Sequence, residues 1–357
     1  MRLDAADLPR LALGTALLGA GGGGDPAAAL LMARMALEQH GPVTLLDVAE
    51  LQADTQVLPC GTIGSPTIAE ERMWNGDEGR KLCEAVAKVR GRRVDVLMPL
   101  QIAGANGLLP VLWASRLGLP LLDADGTGRA FPQLHQQTMS LADVAPSPVI
   151  LTDGRGNTLQ LDPTDGAWAE HLARGALAGL GGVCAAALCC MDGEQARRAT
   201  IAGSISRALR LGEAMQTDID ERLAAVREAL GATVLIEGRI QDVEYRPSAG
   251  FARGAATIVG GGEDAERRMR LEFQSEFLLA LEEGSARATV PDLICVLSSD
   301  ALAPIGVEQL RHGQQVTVLA SPSPREWQSD AGAQIVGPAA FGYEVSPASL
   351  PQATRDD

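Results

Sequence analysis

The chain reads as an α/β protein: an N-terminal, mostly parallel sheet with flanking helices, followed by a second α+β domain that becomes strand-rich toward the C-terminus. Three observations predict this. Apolar strands and amphipathic helices alternate through about residue 126, at the spacing of strand–helix–strand units. The pattern changes beyond about 140, where a hairpin signal is followed by helices. From 232 onward nearly every segment is β-branched and apolar, as strands are. The division is placed at 165/166, giving residues 1–165 as an α/β domain with a Gly-rich loop and an acidic crevice, and 166–357 as the α+β domain.

The elements follow in order. DAADLPRLALGTALL can be drawn as a helix with Leu8, Leu11 and Leu17 on one face, or LALGTALL as a first strand. After the glycines, 26–39 has helical periodicity, with Asp25 in the N-cap position and Pro26 at the first helical position. VTLLDVAEL (43–51) reads as a strand, and a loop carrying GTIGSPTIAEER leads to a helix over 77–90 whose Leu82, Val86 and Val89 share a face. VDVLMPL (94–100) is a buried strand, 106–118 a helix and LPLLDADG (119–126) a strand. PSPVILTDGRGNTLQL forms a hairpin around Asp-Gly-Arg-Gly-Asn, whose turn residues accept positive φ. Helices are expected at 166–180, 193–215 and 218–230, with a buried strand near the apolar run ending at 191. The strand-rich segments are ATVLIEGRIQDVEYR, FARGAATIV, RMRLEFQSEFLLAL, ARATVPDLICVLS and QQVTVLASP.

Composition narrows the function. With 357 residues and 46% hydrophobic content the chain can bury a large core, but aromatics are only 3%, so Ala, Leu, Val and Ile must build it. A net charge of -15 repels phosphate backbones and anionic lipid, so neither nucleic acid nor a membrane is an expected partner. MRLDAADLPR lacks the basic-then-apolar pattern of a signal peptide, and the cytoplasm is the expected address. Six cysteines include no Cys-x-x-Cys pair and read as small buried hydrophobes.

GAGGGGDP (19–26) places Gly19, Gly21 and Gly24 at the Gly-x-Gly-x-x-Gly spacing of a dinucleotide turn, and Asp47 lies 23 residues beyond Gly24. Against that reading, Asp25 sets a carboxylate and Pro26 removes an N–H donor where a pyrophosphate would sit. NAD or FAD is therefore not the expected cofactor, and a tight structural turn is the plainer alternative.

LGAGGGGDP (18–26), SPTIAEER (65–72), MPLQIAGANGL (98–108) and LGLPLLDADGTGRAFP (117–132) together resemble one family, the S-methyl-thiohydantoin desulfurase-like proteins. EFQSEFLLAL, VPDLICVL, LRHGQQVTVLASP and VGPAAFGYEV extend the resemblance through the second half. It implies a small-molecule hydrolase-type enzyme acting on a hydantoin-like cyclic amide, or a non-catalytic partner of a hydantoinase or oxoprolinase; a homo-oligomer is compatible with either. Two positions depart from the expected pattern: Gln101 stands where a glutamate is expected, and Gln274-Ser275-Glu276 where Gln-Asn-Glu is expected.

The matched motifs follow predicted strands or precede helices, where open α/β sheets build their sites. Gly22, Gly23, Gly24, Asp25, Gln101, Asn106, Arg129, Gln274 and Glu276 are the expected substrate-binding set, because amides and backbone N–H groups suit a planar cyclic amide. Asp123, Asp125 and Glu71 are the expected catalytic carboxylates. Residues i and i+2 of a strand face one side, so Asp123 and Asp125 can share a site, raise one another's pKa and activate water, or hold a divalent cation. Each has a plainer alternative: the aspartates as backbone caps, Arg129 as their ion-pair partner, Glu71 as a solvated residue. No Ser-His-Asp set or Gly-x-Ser-x-Gly motif is found.

Overall fold

A computed structural model describes residues 1–72, 74–246, 253–348 and 350; Phe251 and Ala252, at the head of one expected strand, and 351–357, at the end of the second domain, lie outside them. The first part of the chain runs β1 (Arg2–Leu3), α1 (Leu8–Leu18), α2 (Ala27–His40), β2 (Val43–Leu46), β3 (Val57–Gly64), α3 (Pro66–Glu71), α4 (Glu78–Arg90), β4 (Val96–Pro99), α5 (Leu109–Leu117), β5 (Leu121–Leu122), β6 (Ala124–Asp125), α6 (Thr138–Leu141), β7 (Val149–Thr152) and β8 (Thr158–Leu161). It continues through α7 (Gly166–Ala176), β9 (Val183–Ala187), α8 (Gly193–Ala199), β10 (Ile201–Ala202), α9 (Ser204–Ala214) and α10 (Ile219–Leu230). The rest is β11 (Thr233–Arg246), β12 (Arg253–Gly260), β13 (Arg268–Gln274), β14 (Glu276–Glu282), β15 (Ser285–Thr289), β16 (Leu293–Ser298), β17 (Gln315–Ser321) and α11 (Asp330–Val336).

Among the described residues one sheet has eight strands in the order β1-β2-β5-β4-β3-β9-β7-β8, and another has seven in the order β15-β14-β13-β12-β11-β17-β16. The first sheet is mixed: β2, β5, β4 and β3 are parallel, and antiparallel strands extend both edges. Parallel strands need covering on both faces, and β3 and β4 are correspondingly buried along most of their lengths, as is the antiparallel β9 beside β3. The second sheet is antiparallel throughout.

β9 lies beyond residue 165 yet sits inside the first sheet, between β3 and β7. The two halves are also joined through α1 and α9. A Cβ on Gly14 would fall 1.8 Å from the Ala208 carbonyl oxygen, and one on Gly212 would fall 1.6 Å from that of Arg10. Only glycine permits this approach, so the contact is backbone against backbone.

Residues 8–18 take the helical alternative, and the glycine-rich loop therefore joins helix to helix with no strand before it. Asp47, at the end of β2, caps a short 3-10 turn (Val48–Glu50), accepting from the Ala49 N–H at 2.8 Å. The segment expected as a loop before α4 contains the end of β3, a central strand, and all of α3. The expected strand at 119–126 is two pieces, β5 in the large sheet and β6 paired with β10, because the chain breaks direction at Asp123. The expected helix at 193–215 is also two, α8 and α9, separated by β10 and a left-handed Gly203 (φ +74°). Finally, β13 and β14 form a hairpin whose tip is Ser275 alone: Gln274 pairs with Glu276, and Ser275 has φ +60°.

Candidate functional site

The hairpin tip meets the glycine-rich loop. The Phe277 N–H donates to the Ala20 carbonyl at 2.7 Å and the Val307 N–H to that of Gly21 at 2.9 Å, so the loop is bonded onto the second sheet. Between them opens a cleft of about 130 Å³, lined by Gly22, Gly23, Gly24, Ser275 and Glu276, the end of β3, parts of the 100–106 turn, Thr127, residues 131–134, Gln137 and Arg174.

Glu276 is its most unusual occupant. The side chain is 3% exposed, and its Oε2 is buried without a hydrogen-bond partner among the described residues. Burial pushes its carboxyl up to about 8, against the opposing pull of the Arg129 and Arg174 guanidiniums. An ionised carboxylate there lacks solvation, so the group holds its proton through neutral pH. Gly22 makes room for it: a Cβ on Gly22 would lie 2.5 Å from Glu276 Oε1 and 2.7 Å from the Ser275 carbonyl oxygen.

Three amides line the same cleft. Asn106 Oδ1 accepts from the Thr62 N–H (2.6 Å) and hydroxyl (2.9 Å), which leaves its NH₂ for the cleft. Gln101 Oε1 accepts from the Phe131 N–H at 3.2 Å, which likewise leaves its NH₂. Gln137 lines the same cleft with a buried Oε1 that has no partner among the described residues. Donors and an acceptor thus face one space beside an acid. Arg174 joins the wall from α7, held by Glu170 (2.8 Å) and the Pro132 carbonyl (3.0 Å).

Other expected residues lie elsewhere. Asp125 is fully buried and does not line the cleft. Its oxygens accept from the N–H groups of Ile102, Thr127 and Gly128 and from the hydroxyls of Thr127 (2.7 Å) and Ser204 (2.5 Å). Burial raises its carboxyl, while these donors pull the other way. Asp123 accepts from the Ile205 and Ser206 N–H groups (2.8 and 3.0 Å) and the Ser206 hydroxyl, capping α9. Both aspartates bond to the start of α9, and both carboxylates accept from protein N–H and hydroxyl donors. Among the described residues no group of three or more His, Cys, Asp or Glu is placed to hold a metal.

Glu71 is exposed at the end of α3 and absent from the lining. Asp25 is exposed, accepts from the Ala27 N–H at 2.8 Å and borders a neighbouring cavity behind the glycine wall. Gln274 pairs with Glu276 at the hairpin but does not line the cleft. Arg129 is 1% exposed and acts as a strut rather than a substrate clamp: it donates to the carbonyls of Asp292 (2.5 Å), Phe277 (3.0 Å) and Ala130 (3.1 Å). Burial lowers its pKa to about 10, opposed by Glu276.

Sequence reasoning missed Gln137, Thr62, Trp74, Phe131 and Arg174. Gln137 follows the matched LGLPLLDADGTGRAFP motif by only five residues, and in a chain with 3% aromatics each Trp and Phe is itself a signal. The cysteines, by contrast, are buried except for half-buried Cys83, and none is in a disulfide. No helix among the described residues is long and apolar enough to cross a membrane.

A crystal structure of a protein from Chromobacterium violaceum is similar over 98% of this chain and 99% of its own, with a TM-score of 0.79 at 24% identity, a likeness of fold. No curated protein matches the sequence. The family model described as "S-Me-THD-like, N-terminal domain" matches residues 6–163, and that described as "S-Me-THD-like, C-terminal domain" matches 164–350. The chain therefore belongs to the S-Me-THD-like family.

Proposed function

We propose that the cleft binds a small planar cyclic amide of the hydantoin kind and that Glu276 transfers protons in a hydrolysis at the ring carbon. The observation that carries this reading is Glu276, whose buried Oε2 has no partner among the described residues, in the lining of a cleft that it shares with Asn106, Gln101 and Gln137. A cyclic amide ring alternates N–H and C=O around its edge, which this set complements.

For an S-methyl thiohydantoin the balance is one water in and one methanethiol out. Glu276 gives its proton to the C=N nitrogen, which makes the carbon electrophilic. Water adds its oxygen to that carbon and returns one proton to the Glu276 carboxylate. The C–S bond then breaks as the new hydroxyl becomes a carbonyl, and its proton leaves on sulfur. An acid protonated through neutral pH suits the first step, and its activity is lost as pH rises through about 8. Asn106 and Gln101 hold the ring, and the Gly22 to Gly24 backbone forms one wall.

The test is to incubate the protein with S-methyl thiohydantoins and detect the released thiol. Glu276→Gln is expected to lower kcat by roughly 10²- to 10⁴-fold, the usual worth of a general acid. Turnover by Glu276→Gln at the wild-type rate would refute the assigned role. Tight ring binding without turnover would instead favour a non-catalytic module that serves a hydantoinase or oxoprolinase.

A further inference from the structure

We propose that the ligand of this cleft carries an apolar substituent on its ring carbon, seated against Trp74; this rests on the reading of the cleft as a cyclic-amide site. The polar lining comes from the glycine loop, the 100–106 turn, Gln137 and the hairpin tip. A separate part of the fold supplies an apolar wall: Ile63 at the end of β3, Ala69 on α3, Trp74 beyond it, Leu109 on α5 and Val183 opening β9.

A bare five-membered cyclic amide is polar around most of its edge and gives such a wall nothing to pack against. Its tetrahedral carbon is the position that can bear a side chain, and an aliphatic or aromatic one would take the wall out of water. Trp74 is 7% exposed in a chain with four tryptophans, so its presence in the lining is a deliberate use of a rare residue. Arg72, two residues before Trp74, donates to the carbonyls of Leu180 (3.0 Å) and Val183 (2.7 Å), and Val183 is itself part of the wall. Burial of the substituent against this wall is expressed in affinity.

The test is a series of S-methyl thiohydantoins with hydrogen, methyl, isobutyl, benzyl or carboxyethyl on the ring carbon, with dissociation constants measured by calorimetry on the wild type. Isobutyl should bind roughly 10- to 100-fold tighter than hydrogen, the usual worth of burying a leucine-type side chain. The gradient should flatten in Trp74→Ala, with Trp74→Phe keeping part of it. A flat series in the wild type, or a preference for carboxyethyl, overturns this proposal alone. Failure of every member to bind overturns the cyclic-amide reading itself, and this proposal with it.

Discussion

Replacing Glu276 by Gln removes the titration of one buried carboxyl and nearly nothing else, because the two side chains have the same shape. An unfolded glutamate releases its proton near 4.5, whereas burial holds that of Glu276 up to about 8. Between those values the native state keeps a proton that the unfolded chain has lost. Its contribution to stability is complete below 4.5 and is lost as pH rises through about 8. The gap, at about 1.4 kcal/mol per pH unit, amounts to about 5 kcal/mol. That is a large part of the stability of an ordinary domain. Denaturant unfolding at a series of pH values should show wild type and Glu276→Gln nearly equal at pH 5, with the variant more stable by up to about 5 kcal/mol at pH 9. Other buried groups titrate equally in both proteins and cancel in the difference. A difference that stays constant from pH 5 to pH 9 would refute the account of Glu276 as an unpartnered buried acid.

Further variants separate the roles assigned to its neighbours. Gly22→Ala places a methyl 2.5 Å from Glu276 Oε1 and 2.7 Å from the Ser275 carbonyl oxygen; it is expected to cost about 1–3 kcal/mol and to abolish ring binding, and calorimetric binding at wild-type affinity would contradict the cleft's geometry. Asp125→Asn presents an NH₂ to donors that need an acceptor, and should cost on the order of 3 kcal/mol in chemical denaturation without a specific change in the pH profile of activity. Arg129→Met removes two carbonyl contacts between the halves, to Asp292 and Phe277, and a local one to Ala130, and should cost about 3–5 kcal/mol. Because Arg129 pulls the Glu276 pKa down, the same substitution should also move the midpoint of activity loss to higher pH, and a shift to lower pH would reverse the electrostatic assignment.

Strands and helices with clean periodicity were legible, and what escaped has physical causes. β3 was hidden because Pro59 and Gly61 interrupt it: Pro59 cannot donate to a ladder, and proline in a run argues against a central strand. The chain tolerates it there between a parallel and an antiparallel neighbour, which no local pattern announces. The break at Ser275 was equally silent, since a non-glycine residue at positive φ carries no motif of its own.

The i, i+2 rule assumed one continuous strand for Asp123 and Asp125, whereas Asp123 sits at the break between β5 and β6. It could not say what lay opposite, and α9, some 80 residues further on, presents its N–H groups and hydroxyls to both. An aspartate beside an empty crevice and one beside a helix start read alike in sequence. Glu276 shows the converse. Its neighbour Gly22 is more than 250 residues away, and its raised pKa comes from surroundings assembled only by the fold. The glycines of GAGGGGDP match the dinucleotide spacing, but two of their consequences are tertiary: the loop bonds to the second sheet through Ala20 and Gly21, and Gly22 leaves space for a carboxyl. A side chain at position 22 would fill the place where the protein keeps the Glu276 carboxyl.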